Sequence, residues 1–135
     1  MNLQPLLEKY QTVFDQIQEH CEMFKEGVYS TPSELRKVLL NLTGLYGSIN
    51  IVFKSLEAEK LNEEVREYTQ IKIDTEKTDK KFVSAAAEKE ASHRVAELRR
   101  ARNLFEGYVQ VCQTSMMNCQ SVLKSLSDEL RNLKE

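Results

Sequence analysis

Residues 98–133 read LRRARNLFEGYVQVCQTSMMNCQSVLKSLSDELRNL. Leu98, Phe105, Cys112, Cys119, Leu126 and Leu133 recur at every seventh position, and Ala101, Tyr108, Met116, Leu123 and Leu130 supply the half-steps. A period of about 3.5 residues held this long marks a helix packed along one seam against other helices. The pattern begins near FVSAAAEKE, with Ser84 as the expected N-cap, and predicts one helix over 84–135, about 75 Å long if unbroken. The half-step positions change register between Tyr108 and Met116, beside Gly107. A kink there is the alternative to a continuous helix, which is the preferred reading. A single helix of this length needs a cover that so short a chain does not obviously supply. Self-association is therefore expected, with Leu98, Phe105, Tyr108, Cys112, Met116, Cys119, Leu123, Leu126, Leu130 and Leu133 at the oligomer interface.

Two earlier segments count in sevens as well. Leu3, Tyr10, Ile17 and Phe24 predict a helix over 3–25, ended by Gly27 and Pro32 in KEGVYSTP. TPSE then offers Thr31 as N-cap, Pro32 at the first helical position and Glu34 at the third, a capping box. Leu35, Leu42, Ile49 and Leu56 carry the next helix, over 32–67. Gly44 and Gly47 lie inside it and each costs about 1 kcal/mol relative to alanine, which suggests a bend or a close helix approach. The segment TQIKIDTEKTDKK has no helical stripe, and Ile71 and Ile73 alternate with polar residues as in a short strand. Residues 69–83 are therefore read as a charged linker or hairpin arm. The expected architecture is an N-terminal helical hairpin (1–68), this linker, and a long oligomerisation helix (84–135). The fold class is all-α, a coiled-coil or helical-bundle oligomer.

Composition agrees with that class. The chain has 135 residues with only four glycines, two prolines and no tryptophan. Leu, Glu, Lys, Ala and Gln, which favour helices, dominate it. Three cysteines, Cys21, Cys112 and Cys119, have no metal-ligand spacing and read as buried reduced thiols. His20 and His93 have no spaced partners, and no phosphate loop or nucleophile motif appears, so no enzyme, metal or cofactor is expected. The start shows no signal-peptide pattern, and no apolar run approaches the roughly 20 residues that span a bilayer. A soluble, cytoplasmic protein is expected, with no membrane partner.

Charge is unevenly distributed. Eight basic and four acidic residues between Lys77 and Arg102 give that stretch +4, in a chain whose net charge is −2. Such segregation points to an anionic partner. Helix geometry separates its arginines. With Leu98 at zero, Arg94 falls near −40° and Arg102 near +40°, while Arg99 lies near +100° and Arg100 near −160°. Arg94 thus enters the apolar seam and Arg102 borders it. An arginine in a seam needs an acidic partner, water or a ligand. Platforms for single-stranded nucleic acid set aromatics beside basic residues. Here Phe82 follows Lys80 and Lys81, and Tyr68 follows Arg66. The alternative for Phe82 is a hydrophobic staple before the Ser84 cap. The candidate nucleic-acid-binding residues are Lys60, Arg66, Tyr68, Lys77, Lys80, Lys81, Arg94, Arg99 and Arg102. A structural or adaptor protein with protein partners only, such as a virion component or assembly factor, is the alternative reading.

The run LYGSINIVFKSLEAEKLNEEVREY, a short charged linker, and then KTDKKFVSAAAEKEASHRVAELRRARNLFEGYVQVCQTSMMNCQSVLKSLSDELR resembles the recombination mediator proteins of T4-like phages, the UvsY type. The likeness is one of layout over roughly residues 40–131: a helix ending in a basic-then-Tyr stretch, a polar linker, a Lys-rich approach and a long final helix. It implies a non-enzymatic protein that forms a cyclic homo-oligomer, a ring of about six or seven copies, through its C-terminal helices. It also implies binding to single-stranded DNA, and to the recombinase and single-strand-binding protein, so as to load recombinase filaments. The family's basic DNA-contacting stretch falls on Lys60 to Tyr68. Arg66 fits it, whereas Glu63 and Glu64 are acidic where lysine is expected.

Overall fold

The computed structural model describes residues 2–28 and 31–134, with the side chain of residue 134 excepted, so residues 29 and 30 of the first expected loop and residue 135 lie outside the description. The described residues form four helices and no strand: α1 (Gln4–Glu26), α2 (Pro32–Glu76), α3 (Ser84–Arg94) and α4 (Ala96–Lys134). The protein is all-α.

Local chemistry sets most boundaries. After α1 the chain turns through Gly27 at φ 70°, a left-handed conformation that costs glycine nothing. Gly27 N–H donates to the Phe24 carbonyl and Val28 N–H to that of Met23, which satisfies two carbonyls of the last turn. Thr31 caps α2, its hydroxyl accepting from Glu34 N–H at 3.2 Å, with Pro32 next in line. α2 then runs through the expected linker to Glu76. The hydroxyls of Thr69 and Thr75 donate to the carbonyls of Val65 and Ile71, and Gln70 donates to Asp74 one turn on. The linker is therefore confined to the turn 77–83.

The helix over 84–135 is divided, and not at Gly107, where α4 is continuous. The break falls at Val95, between α3 and α4. Val95 is 5 % exposed, so its side chain stays in the core while the backbone leaves helical geometry. The guanidinium of Arg99 donates to both the carbonyl and the hydroxyl of Ser92, serving a carbonyl beside the break. Ser84 is not the cap of α3; Val83 occupies that place in extended conformation, without a side-chain bond.

α2 runs antiparallel to α3 and α4. Contacts across the pair fall in number on one side as they rise on the other: Tyr46 with Gln113, Glu57 with Arg102, and Glu67 with Arg94. The two series of sevens, Leu35, Leu42, Ile49 and Leu56 on α2 and Leu98, Phe105, Cys112 and Cys119 on α4, lie in one core cluster. α1 lies along α4 in the same direction. Its Tyr10 and Phe14 meet the ring of Phe105 edge-on at 5.4 and 5.1 Å, and Phe14 stacks on Tyr108 at 4.2 Å. Gln18 donates to the Tyr108 hydroxyl at 2.7 Å, and His20 bonds Asn41 of α2 at 2.9 Å.

This arrangement corrects the expected role of the α4 seam. Leu98, Phe105, Cys112 and Cys119, expected at an oligomer interface, are at most 4 % exposed, buried against the chain's own helices. α2, at 45 residues, is long enough to cover most of α4. Tyr108, Met116, Leu123 and Leu126 are half-buried against the same cluster. Only Leu130 and Leu133, 55 % and 83 % exposed, remain uncovered.

Beyond α1 the C-terminal half of α2 and α3 continue as a two-helix arm. Its core is thin: Ala87 and Ala91 are the buried residues of α3, and none of α2 past Leu56 is buried. No described helix is long and apolar enough to cross a membrane.

Candidate nucleic-acid interface

Four of the eight cationic candidates, Lys60, Arg66, Arg94 and Arg102, have anionic partners within the chain. Arg102 reaches Glu57 at 3.1 Å and Glu106 at 2.7 Å, and its guanidinium lies 5.5 Å from the ring centre of Phe53. Arg94 reaches Glu67 at 2.9 Å and Glu90 at 3.4 Å. The bond to Glu67, with a smaller one to Glu90, holds Arg94 above the usual arginine range. The seam arginine thus meets acids of its own hairpin. Lys60 pairs with Glu64 at 3.4 Å and Arg66 with Glu63, and Arg99 is bound to Ser92. These contacts tie α2 to α3 and α4 or brace single helices. A phosphate would have to compete with each of them.

Lys77, Lys80 and Lys81 differ. They sit exposed on the turn at the tip of the arm, with no ion pair among the described residues. Beside them Tyr68 and Phe82 meet edge-to-face, with ring centres 5.8 Å apart. The Tyr68 hydroxyl lies 3.3 Å from the Ser84 hydroxyl, which fixes the ring against the start of α3. The ammonium of Lys72 lies 5.9 Å from the centre of the Phe82 ring. The tip therefore holds two aromatic rings and four lysines, with Asp74, Glu76 and Asp79 among them. Sequence reasoning missed Lys72 because it ended α2 at 67. Once α2 continues, Lys72 stands four residues past Tyr68, on the same helical face.

Just below the tip an open cleft of about 480 Å³ runs between α2 and α3, lined by Leu61, Val65, Tyr68 and Ala91 with Glu64 and Glu88 beside them. Two carboxylates there repel phosphate, so a nucleic-acid backbone is better placed at the lysine turn.

The other reactive side chains pack. Burial pushes the Cys112 thiol up to about 11 and raises Cys119 as well. At neutral pH both are thiols, which are poor nucleophiles. Burial also lowers His20 below the usual histidine range. Among the described residues no group of three or more His, Cys, Asp or Glu is arranged to hold a metal. Comparison with known protein families, curated proteins and solved structures gave no match.

Proposed function

We propose that the chain is a non-enzymatic helical protein that binds single-stranded DNA at the tip of its arm and so assists the loading of a recombinase. The observation that carries this reading is the Tyr68–Phe82 pair flanked by lysines that have no ion pair among the described residues. Aromatic faces accept bases of any sequence, and lysines follow the phosphates, which together make a sequence-tolerant single-strand site. The recombinase, the single-strand-binding protein and a ring-shaped homo-oligomer enter through the resemblance to phage recombination mediators. Leu130 and Leu133, with Met117 and Val122, are exposed apolar side chains on the C-terminal helix that such a ring could use.

A second reading, an adaptor with protein partners only, is favoured by the ion pairs of Arg94 and Arg102, which leave the hairpin's arginines serving its own structure. Fluorescence anisotropy with a labelled poly-dT oligonucleotide over a salt series separates the two. Single-strand binding that weakens steadily with salt is expected. Absence of binding at the lowest salt leaves the adaptor reading.

A further inference from the structure

α2 carries a second series in sevens, on the side facing away from the core. Leu40, Gly44, Gly47, Ile51, Lys54, Ala58, Leu61 and Val65 follow one another at spacings of alternately four and three residues. They lie about 150° around the helix from the buried stripe. Among the described residues they remain largely uncovered: Leu40 is 75 % exposed, Ile51 72 %, Leu61 53 % and Val65 66 %. A Cβ added to Gly44 or Gly47 would meet no atom within 4 Å, so the folded chain itself gives no packing reason for glycine there.

The series is complementary to itself when reversed. With two copies of α2 antiparallel about a two-fold axis level with residues 52 and 53, Leu40 stands opposite Val65 of the second copy. Gly44 then stands opposite Leu61, Gly47 opposite Ala58, and Ile51 opposite the aliphatic stem of Lys54. The two pairs that contain glycine let the helices approach closely, and the Leu40–Val65 and Ile51–Lys54 pairs supply the apolar contact. Charge favours the same direction. Residues 32–56 hold three basic and one acidic side chain, net +2, and residues 57–76 hold three basic and seven acidic, net −4. An antiparallel pair sets the basic half on the acidic half, whereas a parallel pair sets acid on acid. α1 and α4 lie elsewhere around α2, and α3 borders the face only at its C-terminal end, where Leu61 and Val65 also line the cleft and stay more than half exposed.

We infer that the outward face of α2 is a two-fold interface with a second copy of this chain, paired antiparallel through Leu40, Gly44, Gly47, Ile51, Leu61 and Val65. This interface is separate from the C-terminal seam and does not depend on nucleic-acid binding. Its test uses no oligonucleotide, so its failure and that of the proposed function are distinguishable.

Light scattering on the full chain is expected to give the mass of two chains or a multiple of it. Leu61→Asp is expected to halve that mass with helical circular dichroism unchanged, because the replaced side chain is already more than half exposed. Direction is read by cross-linking in a Cys21→Ser background. Under oxidised glutathione, the double variant Leu40→Cys with Val65→Cys is expected to give a disulfide-linked dimer, and Leu40→Cys alone none. A one-chain mass for the unaltered protein at all concentrations, or a mass insensitive to Leu61→Asp, would overturn the inference. So would dimers formed by Leu40→Cys alone, which mark parallel pairing.

Discussion

Phe105→Ala lowers the unfolding free energy by about 3–5 kcal/mol. Phe105 is fully buried and stands where all three long helices meet. Removing the ring leaves a cavity between α2 and α4, and also strips α1 of the surface that Tyr10 and Phe14 dock on. Each edge-to-face pair adds about 0.5–1.5 kcal/mol to the burial itself. A domain of this size has about 5–15 kcal/mol of stability in all, so the variant approaches the limit of folding at body temperature. Urea unfolding followed by circular dichroism measures it, with Leu130→Ala as the control. Leu130 is 55 % exposed, so its truncation should change stability by less than about 0.5 kcal/mol. A loss below about 1 kcal/mol at Phe105 would mean that α1 does not close over the hairpin.

The largest functional effect is expected from Lys77, Lys80 and Lys81 replaced together by alanine. Each phosphate contact on single-stranded DNA contributes about 0.7 to the slope of log affinity against log salt, so loss of three flattens the slope by about 2. At 0.1 M salt that corresponds to about 100-fold weaker binding. The side chains are exposed on a turn, so helical content should not change. Phe82→Ala should act differently. It removes a stacking face worth about 1–3 kcal/mol per base and leaves the salt slope as it was. A triple variant that binds with unaltered slope would place the phosphates elsewhere on the surface.

The regular parts of the fold were legible because they count. Series in sevens located α1, the first part of α2 and α4, and the Thr31-Pro32-Ser33-Glu34 start carries its capping hydrogen bond. What counting left out was ambiguous in local terms. Ile71 and Ile73 alternate like strand residues, yet they continue a helix whose polar turns are held by side chains bonding one turn away. The break at Val95 has no glycine or proline to announce it, and Gly107 lies inside a continuous helix. The burial of the α4 seam within one chain was missed for a related reason. The register that brings Leu42, Ile49 and Leu56 alongside Cys119, Cys112 and Phe105 exists only once the hairpin closes.

The candidate site was legible in type but not in membership. The lysines of the turn and both aromatics were identified by the proximity of basic and aromatic residues in sequence. The internal partners of the arginines were not legible because they are remote: Glu67 lies 27 positions from Arg94, and Glu57 lies 45 from Arg102. Only the antiparallel hairpin brings those charges together. A helical wheel places Arg94 in the seam but does not show what faces it.

The central claim is that single-stranded DNA is held at the arm tip by Tyr68, Phe82 and the lysines around them. Photo-cross-linking to an oligonucleotide containing 5-iodo-deoxyuridine, followed by mass spectrometry of the peptides, tests it most directly. The account predicts adducts on Tyr68 or Phe82, lost when Lys77, Lys80 and Lys81 are replaced. Adducts confined to Tyr10, Tyr46 or Tyr108 on the three-helix body, or none at low salt, would contradict it.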